Sequence, residues 1–459
     1  FANWLATAAD DGLNPSDYPA AQLGRLAGAI DQTDTAGQAV IELHFSAAFL
    51  QYASDLKAGR ALPAKIDPDF FVQKKAIDPV AALRGLGGSR DIDTFFNAWQ
   101  PQSPGYAGLR VVLPDSRAPA AAGGWPRVPM GETLKPGMPN RRVPALRARL
   151  AVTDGADPVA AGAGEVYDDG LVAVVKGFQS RHGLDPDGAV GRATIVALNV
   201  PVEARIEEIV VAMERWRWLP DDLGRDHVMV NIAGFELQHV RDGAIVEKMA
   251  VVVGKPYSRT PVFSDAIRYA EFNPYWNVPG GIAVKEELPK LKTDPAARAA
   301  AGFEAVQGDT VYPLTAIDWR RYGPGNFPFQ LRQRPGPENA LGRVKFMFPN
   351  KFDVYLHDTP SRSLFSRTDR AFSHGCIRLS RPIDFAVDIF GSTPGWDRAR
   401  IDRTIASGQR TVVNLATPLP IHITYFTAWV DQGVPQFRAD IYEHDAKLIA
   451  ALRGQAMSW

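Results

Sequence analysis

The sequence predicts an α+β, multidomain chain in which a helical first half precedes a mostly β second half. Three observations predict it. At 459 residues the chain is long enough for roughly two to four domains, each with its own core. Apolar residues recur at helical intervals up to about residue 220 and then at every second position. Between these patterns, SRAPAAAGGWPRVPMGETLKPGMPN (116–140) is dense in Pro, Gly and Ala and reads as an exposed connection near a domain boundary.

Each element follows in order. Within 1–140, QAVIELHFSAAFLQYASDLKAG spaces Val40, Leu43, Ala47, Leu50 and Leu56 as one helical face that needs covering, and DIDTFFNAWQP is a short helix stopped by Pro101. Residues 141–200 hold three small helices: VPALRARLAVTDG closed by Gly155, DDGLVAVVKGFQSRHGL with an Asp168 or Asp169 cap and Gly183 at its end, and DGAVGRATIVALNVP. Residues 201–225 form a linking amphipathic helix with Ile206, Ile209, Val210 and Met213 on one side and Pro220 at its end; Trp216 and Trp218 are expected to pack against a neighbour.

Alternation starts the last domain, 226–459. HVMVNIAGFELQHVRDGAIVEKMAVVVGKP reads as three strands with RDG as a hairpin turn. Residues 282–343 have weak periodicity and many Pro and Gly, and an irregular stretch that long inside a domain predicts a functional lid. Strands return at RVKFMFPN and FDVYLHDT, a helix at RPIDFAVDIFG, and strands again at RTVVNL and LPIHITYFTAWVDQ.

Charge and composition exclude several classes. With 51 basic and 51 acidic side chains and no block of either, the footprint of a nucleic-acid binder is missing. The strongest apolar runs, AVVVGK and LVAVVKGF, fall far short of the ~20 residues that span a bilayer, so a soluble chain is expected. Residue 1 is Phe, which fits removal of an amino-terminal segment or a trimmed chain. One cysteine permits no intramolecular disulfide and leaves the redox compartment open.

That cysteine, Cys376, lies in RAFSHGCIRLS. A thiol attacks as thiolate and needs a base or a positive charge nearby. His374 precedes it by two residues, Arg378 follows by two, and His357 ends an upstream strand. Gly375 lets the backbone turn sharply and leaves the Cys376 amide for an oxyanion. A cysteine among Ser373, His374, Gly375 and Arg378 is poorly placed for an apolar core, which favours a nucleophile. One Cys and two His could offer three metal ligands, but no CxxC or HxxxH spacing supports a site; neither metal nor cofactor is expected.

SHGCIRL, preceded by the His of YLHDT, resembles the catalytic motif of the L,D-transpeptidase family, which cross-links peptidoglycan through a cysteine acyl-enzyme. FNPYWNVP, NALGRVKFMFPN, VYLHDTPSRSLF and ERWRWLP resemble the large Gram-negative periplasmic subfamily, in which a helical scaffold, a peptidoglycan-binding module and a lid surround the catalytic domain. FQSRHGL, DPDGAVGRAT and ALNVP resemble the three-helix peptidoglycan-binding family, although a plain helical spacer would need the same turn residues. The resemblance implies a mostly β catalytic domain, with 1–140 as scaffold and 141–200 as wall-binding module. It implies Cys376 as nucleophile, His357 as general base, His374 as a supporting group, and Gly375 with the Cys376 amide as the oxyanion region. Many members carry Asn where this chain has Arg378, so that side chain could orient a stem carboxylate or pack the loop. Ser373, Tyr355 and Trp276 are further candidates for contact with substrate, and Tyr275 and Trp319 for walls of the peptide site; Tyr355 shares the face of His357 by strand period.

The implied reaction is ping-pong acyl transfer on tetrapeptide stems, with loss of D-alanine and formation of 3-3 cross-links. The implied partners are peptidoglycan stems and glycan strands, with wall-synthesis proteins beside them; the compartment is the periplasm, and a membrane is met only through a removed amino-terminal segment. The resemblance also implies acylation by carbapenems. Two other classes stay open: an L,D-carboxypeptidase, amidase or cross-link endopeptidase using the same Cys/His site, and a non-catalytic wall-binding scaffold.

Overall fold

Asp34 caps the helix Thr35–Ala58 by accepting from the Gly37 N–H at 2.9 Å. In this computed structural model, which describes residues 1–29, 34–155 and 164–454, that helix buries mainly its second half, which includes Leu56 of the expected set but neither Val40 nor Leu43. Val40 and Leu43 are 54% and 70% exposed, while Ala48, Phe49, Tyr52, Ala53 and Leu56 are buried. The reason is where the covering groups lie: Phe1, Phe95 and Phe96 pack on the second half, with Phe49–Phe95 centroids 5.4 Å apart and Tyr52–Phe96 edge-on at 5.0 Å. The expected exposed connection also begins later, because the helix Pro104–Ala121 runs into it and carries Pro114 and Pro119 inside its length.

Three helices, Val143–Asp154, Asp169–Arg181 and Arg192–Leu198, close on Leu146, Leu150, Leu171, Val175, Phe178, Ile195 and Leu198. Asp168 caps the second through the Leu171 N–H at 2.9 Å, and Gly155 ends the first in the left-handed region. The helix Val202–Trp218 is buried all round from Val211 onward. Trp216 stacks on Phe426 at 4.8 Å, Trp218 meets Phe70 edge-on at 5.5 Å, and the buried Arg217 donates to the Leu56 carbonyl and the Tyr106 hydroxyl.

Backbone contacts divide the chain into two units, Phe1–Asp222 with Tyr425–Trp459, and Leu223–Thr424. The last domain therefore does not extend to residue 459. The hairpin Ala428–Asp431 with Val434–Phe437 and the helix His444–Gly454 belong with the first unit, where Asp445 pairs with Arg215 at 2.6 Å. No described helix is long and apolar enough to cross a membrane.

The second unit is a nine-stranded sheet. Its order is Ala371–Ser373, Ala244–Gly254, Ile377–Leu379, Leu356–His357, Val344–Met347, Phe263–Phe272, Thr411–Thr424, Asp226–Asn231 and Glu236–Arg241. The last of these also pairs with Ala244–Gly254 and closes the sheet on itself. The expected RDG turn is present, with Asp242 and Gly243 at φ +53° and +78°, the signature of a primed hairpin turn. RTVVNL and LPIHIT are one strand, Thr411–Thr424, with an irregularity between Asn414 and Leu419.

The segment expected to be an irregular lid is a folded insertion. Trp276–Asn277, Gln330–Gln333, Phe303–Gln307 and Thr310–Tyr312 make a four-stranded sheet in that order, and Val278, Leu288, Leu291, Phe303, Leu314, Trp319 and Leu331 form a core of its own. Short strands between Pro and Gly turns escape a periodicity search.

Candidate active site

Two short parallel strands set the site. Leu356–His357 pairs with Ile377–Leu379 so that His357 lies opposite Arg378, and the Ile377 N–H donates to the Tyr355 carbonyl at 3.1 Å. This register brings Tyr355, His357, Cys376 and Arg378 to one end of the sheet.

The turn before Cys376 is held from within. Ser373 is 2% exposed, donates to the Cys376 carbonyl at 2.6 Å and accepts from the Gly375 N–H at 3.1 Å. It thus builds the turn, with its hydroxyl engaged on both sides. Gly375 has φ +116°, a conformation open to glycine almost alone, and its carbonyl accepts from Thr260 Oγ1 at 2.8 Å. The Gly375 amide is occupied by Ser373.

Cys376 is a free, half-buried thiol that donates to the Asp353 carbonyl at 3.6 Å. Asp353 sits at φ +54° in a loop braced by Asn350, whose amide donates to the Phe348 and Val354 carbonyls, each at 2.7 Å. Burial pushes the thiol up to about 11, against hydrogen bonds from the Tyr355 backbone and hydroxyl and the charge of Arg378, which favour the thiolate. Burial, then the Cys376 sulfur, hold the Tyr355 phenol protonated, well above its usual range. Its ring stands T-shaped to His357, with centroids 5.6 Å apart.

His357 is buried, and its Nδ1 is 2.5 Å from the Asp358 carbonyl, which can only accept. The proton therefore sits on Nδ1 and leaves the Nε2 lone pair open. Burial, then the charge of Arg378, push this imidazole down to about 3. Both shifts favour the neutral thiol and the neutral imidazole over a preformed thiolate–imidazolium pair.

Arg378 is half-buried, with its Nε enclosed and without a hydrogen-bond partner, an unsatisfied donor beside the thiol. His374 is exposed, and its Nε2 lies 2.6 Å from the Glu286 carboxylate of the insertion. Trp319 is 2% exposed in the insertion core, its indole N–H donating to the Leu314 carbonyl at 2.8 Å, and the half-buried Trp276 packs edge-on against Phe303 at 6.0 Å. Tyr275 stacks under Arg332 at 4.9 Å. Sequence reasoning missed Glu286, Asp353, Asn350 and Thr260, which act through loop backbone or from distant segments; no local pattern marks them.

Among the described residues, the three donors close enough to share an ion are Asp67, Asp69 and His444 of the first unit, where the Lys447 ammonium already bonds the Asp67 carboxylate.

Residues 225–396 match the family model of an L,D-transpeptidase catalytic domain, residues 1–113 that of a scaffold domain, and residues 142–198 that of a "Putative peptidoglycan binding domain". A curated Haemophilus influenzae protein named "Putative L,D-transpeptidase" is 34% identical over 244 residues, 53% of this chain and 49% of that protein. The chain thus spans about half the length of that relative. Among solved structures, an L,D-transpeptidase from Mycobacterium smegmatis is 15% identical over 44% of this chain and 58% of its own, with a TM-score of 0.21. One from Xylanimonas cellulosilytica is 15% identical over 64% of this chain and 99% of its own, also at 0.21. Overlaps this small leave the assignment to the domain models.

Proposed function

Because residues 225–396 carry an L,D-transpeptidase catalytic domain, we propose that this chain acylates itself at Cys376 with a peptidoglycan tetrapeptide stem, releases the terminal D-alanine and passes the acyl group to the side-chain amine of a second stem, forming a 3-3 cross-link. The observation that carries this reading is the neutral thiol hydrogen-bonded between Asp353 and Tyr355, one strand from a buried imidazole whose Nε2 is free of its proton.

The thiol sulfur attacks the carbonyl carbon of the third stem residue while His357 Nε2 takes the thiol proton. The Cys376 amide and the Tyr355 hydroxyl face the developing charges on oxygen and sulfur. The C–N bond to D-alanine then breaks, and the same proton leaves with the D-alanine amine. In the second half, the acceptor amine attacks the thioester carbonyl and gives a proton to His357; the C–S bond breaks, and the proton returns to sulfur. Arg378, with its unsatisfied Nε, fits a stem carboxylate. The insertion would shield the thioester from water, favouring transfer over hydrolysis. Peptidoglycan lies outside the cytoplasmic membrane, which supports a periplasmic place for this activity and a wall-binding role for residues 142–198. Cys376 would also be acylated by carbapenems.

The test is intact-mass spectrometry of the wild-type protein and of Cys376→Ala after incubation with disaccharide-tetrapeptide, together with analysis of the muropeptides. A wild-type-only adduct lacking D-alanine, with 3-3 dimers, supports the proposal. Tripeptide without dimers moves the function to a carboxypeptidase, and no adduct at all refutes it.

A further inference from the structure

We propose that Glu286 is a positioning residue for acyl transfer, one that holds His374 and ties the nucleophile turn to the inserted subdomain; this rests on the reading of Cys376 as the nucleophile. Pro289 has no N–H, and its ring clashes with the carbonyl four residues back, that of Lys285. The helix answers by widening: it is α over Gly280–Ile282, π over Ala283–Glu287 and α again over Leu288–Thr293. Such π turns inside helices recur at functional sites.

The widened turn sends two adjacent carboxylates apart. Glu287 is 4% exposed and is held within the subdomain by Lys290 at 2.8 Å and Arg298 at 2.7 Å. Glu286 reaches the other way, with Oε1 2.6 Å from His374 Nε2. A carboxylate can only accept, so it fixes the proton on Nε2 and sets the plane of a ring two residues from the nucleophile. Ser373 and Thr260 already hold Gly375 from the sheet side. Glu286 adds a hold from the subdomain side.

The side chains of His374 and Glu286 are 32% and 44% exposed, so the pair is a breakable tie. Exposed ion pairs of this kind shift an equilibrium by roughly two- to fivefold. Losing the tie should let the subdomain sit less closely over the turn, admitting both water and small reagents to Cys376.

The experiment compares the wild-type chain with Glu286→Ala and Glu286→Asp by three readouts: the rate of Cys376 alkylation by iodoacetamide, the ratio of 3-3 dimer to tripeptide made from disaccharide-tetrapeptide, and the melting temperature. For Glu286→Ala, alkylation should quicken and the dimer-to-tripeptide ratio fall, each by roughly two- to fivefold, with melting unchanged and Glu286→Asp intermediate. Unchanged alkylation and an unchanged ratio in folded Glu286→Ala overturn the proposal. Should that variant melt early, Glu286→Asp carries the same comparison. Faster alkylation with no muropeptide product from any of the three proteins would uphold the tie and refute the proposed reaction instead.

Discussion

Replacing Tyr355 by Phe removes one oxygen from the site and little else. The ring keeps its contact with His357 at 5.6 Å and its place beneath Lys345 Nζ at 5.8 Å. What is lost is the hydroxyl that bonds the Cys376 sulfur and stabilises its ionised form. A hydrogen bond to a charged group contributes about 1.5–3 kcal/mol, and about 1.4 kcal/mol corresponds to one pKa unit or a tenfold rate. The thiol pKa, already raised to about 11, should therefore rise further, and acyl-enzyme formation should slow roughly 10- to 100-fold. Single-turnover acylation followed by intact mass measures the rate. Alkylation across a pH series measures the thiol, whose reactivity should begin to climb at higher pH in Tyr355→Phe than in wild type. Unchanged acylation and an unchanged pH curve in a normally folded Tyr355→Phe protein would refute the hydroxyl–sulfur contact as a source of reactivity.

Gly375→Ala forces a Cβ onto a backbone at φ +116° and 3.4 Å from the Arg259 carbonyl, so about 1–3 kcal/mol of strain should appear at the turn, seen as lost acylation with only a modest fall in melting temperature. His239, fully buried, bonds Asp388 through Nδ1 and Asp226 through Nε2; burial disfavours its charge, but the two carboxylates prevail and raise its pKa. A raised folded-state pKa stabilises fully below the unfolded value of 6.5 and loses that stabilisation as pH rises through the folded value. His239→Gln should therefore lower stability by about 1–3 kcal/mol in acid and by less in alkali, and a penalty constant across pH in denaturant titrations would contradict the imidazolium assignment. Excising residues 280–333 and bridging the gap with a Gly/Ser linker should shift products from 3-3 dimers toward tripeptide; a constant product ratio would remove the shielding role.

The sequence alone carried the helical-then-β order, the three-helix module with its caps at Asp168 and Gly155, the RDG turn, and Cys376 and His357 as candidates for nucleophile and base. Each depends on local rules, such as a side chain bonding its own helix end, a glycine taking a left-handed turn, or a single thiol in polar company. Tertiary structure decided what depends on residues far apart in the chain. Val40 and Leu43 obey helical spacing as well as Phe49 and Tyr52 do, but burial went to the pair that Phe1, Phe95 and Phe96 reach. Residues beyond Tyr425 have strand and helix signals that no local rule assigns to either unit. The resting protonation of the site depends on burial and on Arg378 standing opposite His357 across two strands, so a thiolate–imidazolium pair could not be accepted or rejected from spacing. Glu286 and His374 lie 88 positions apart and meet only in the folded chain, a contact that a linear pattern does not contain.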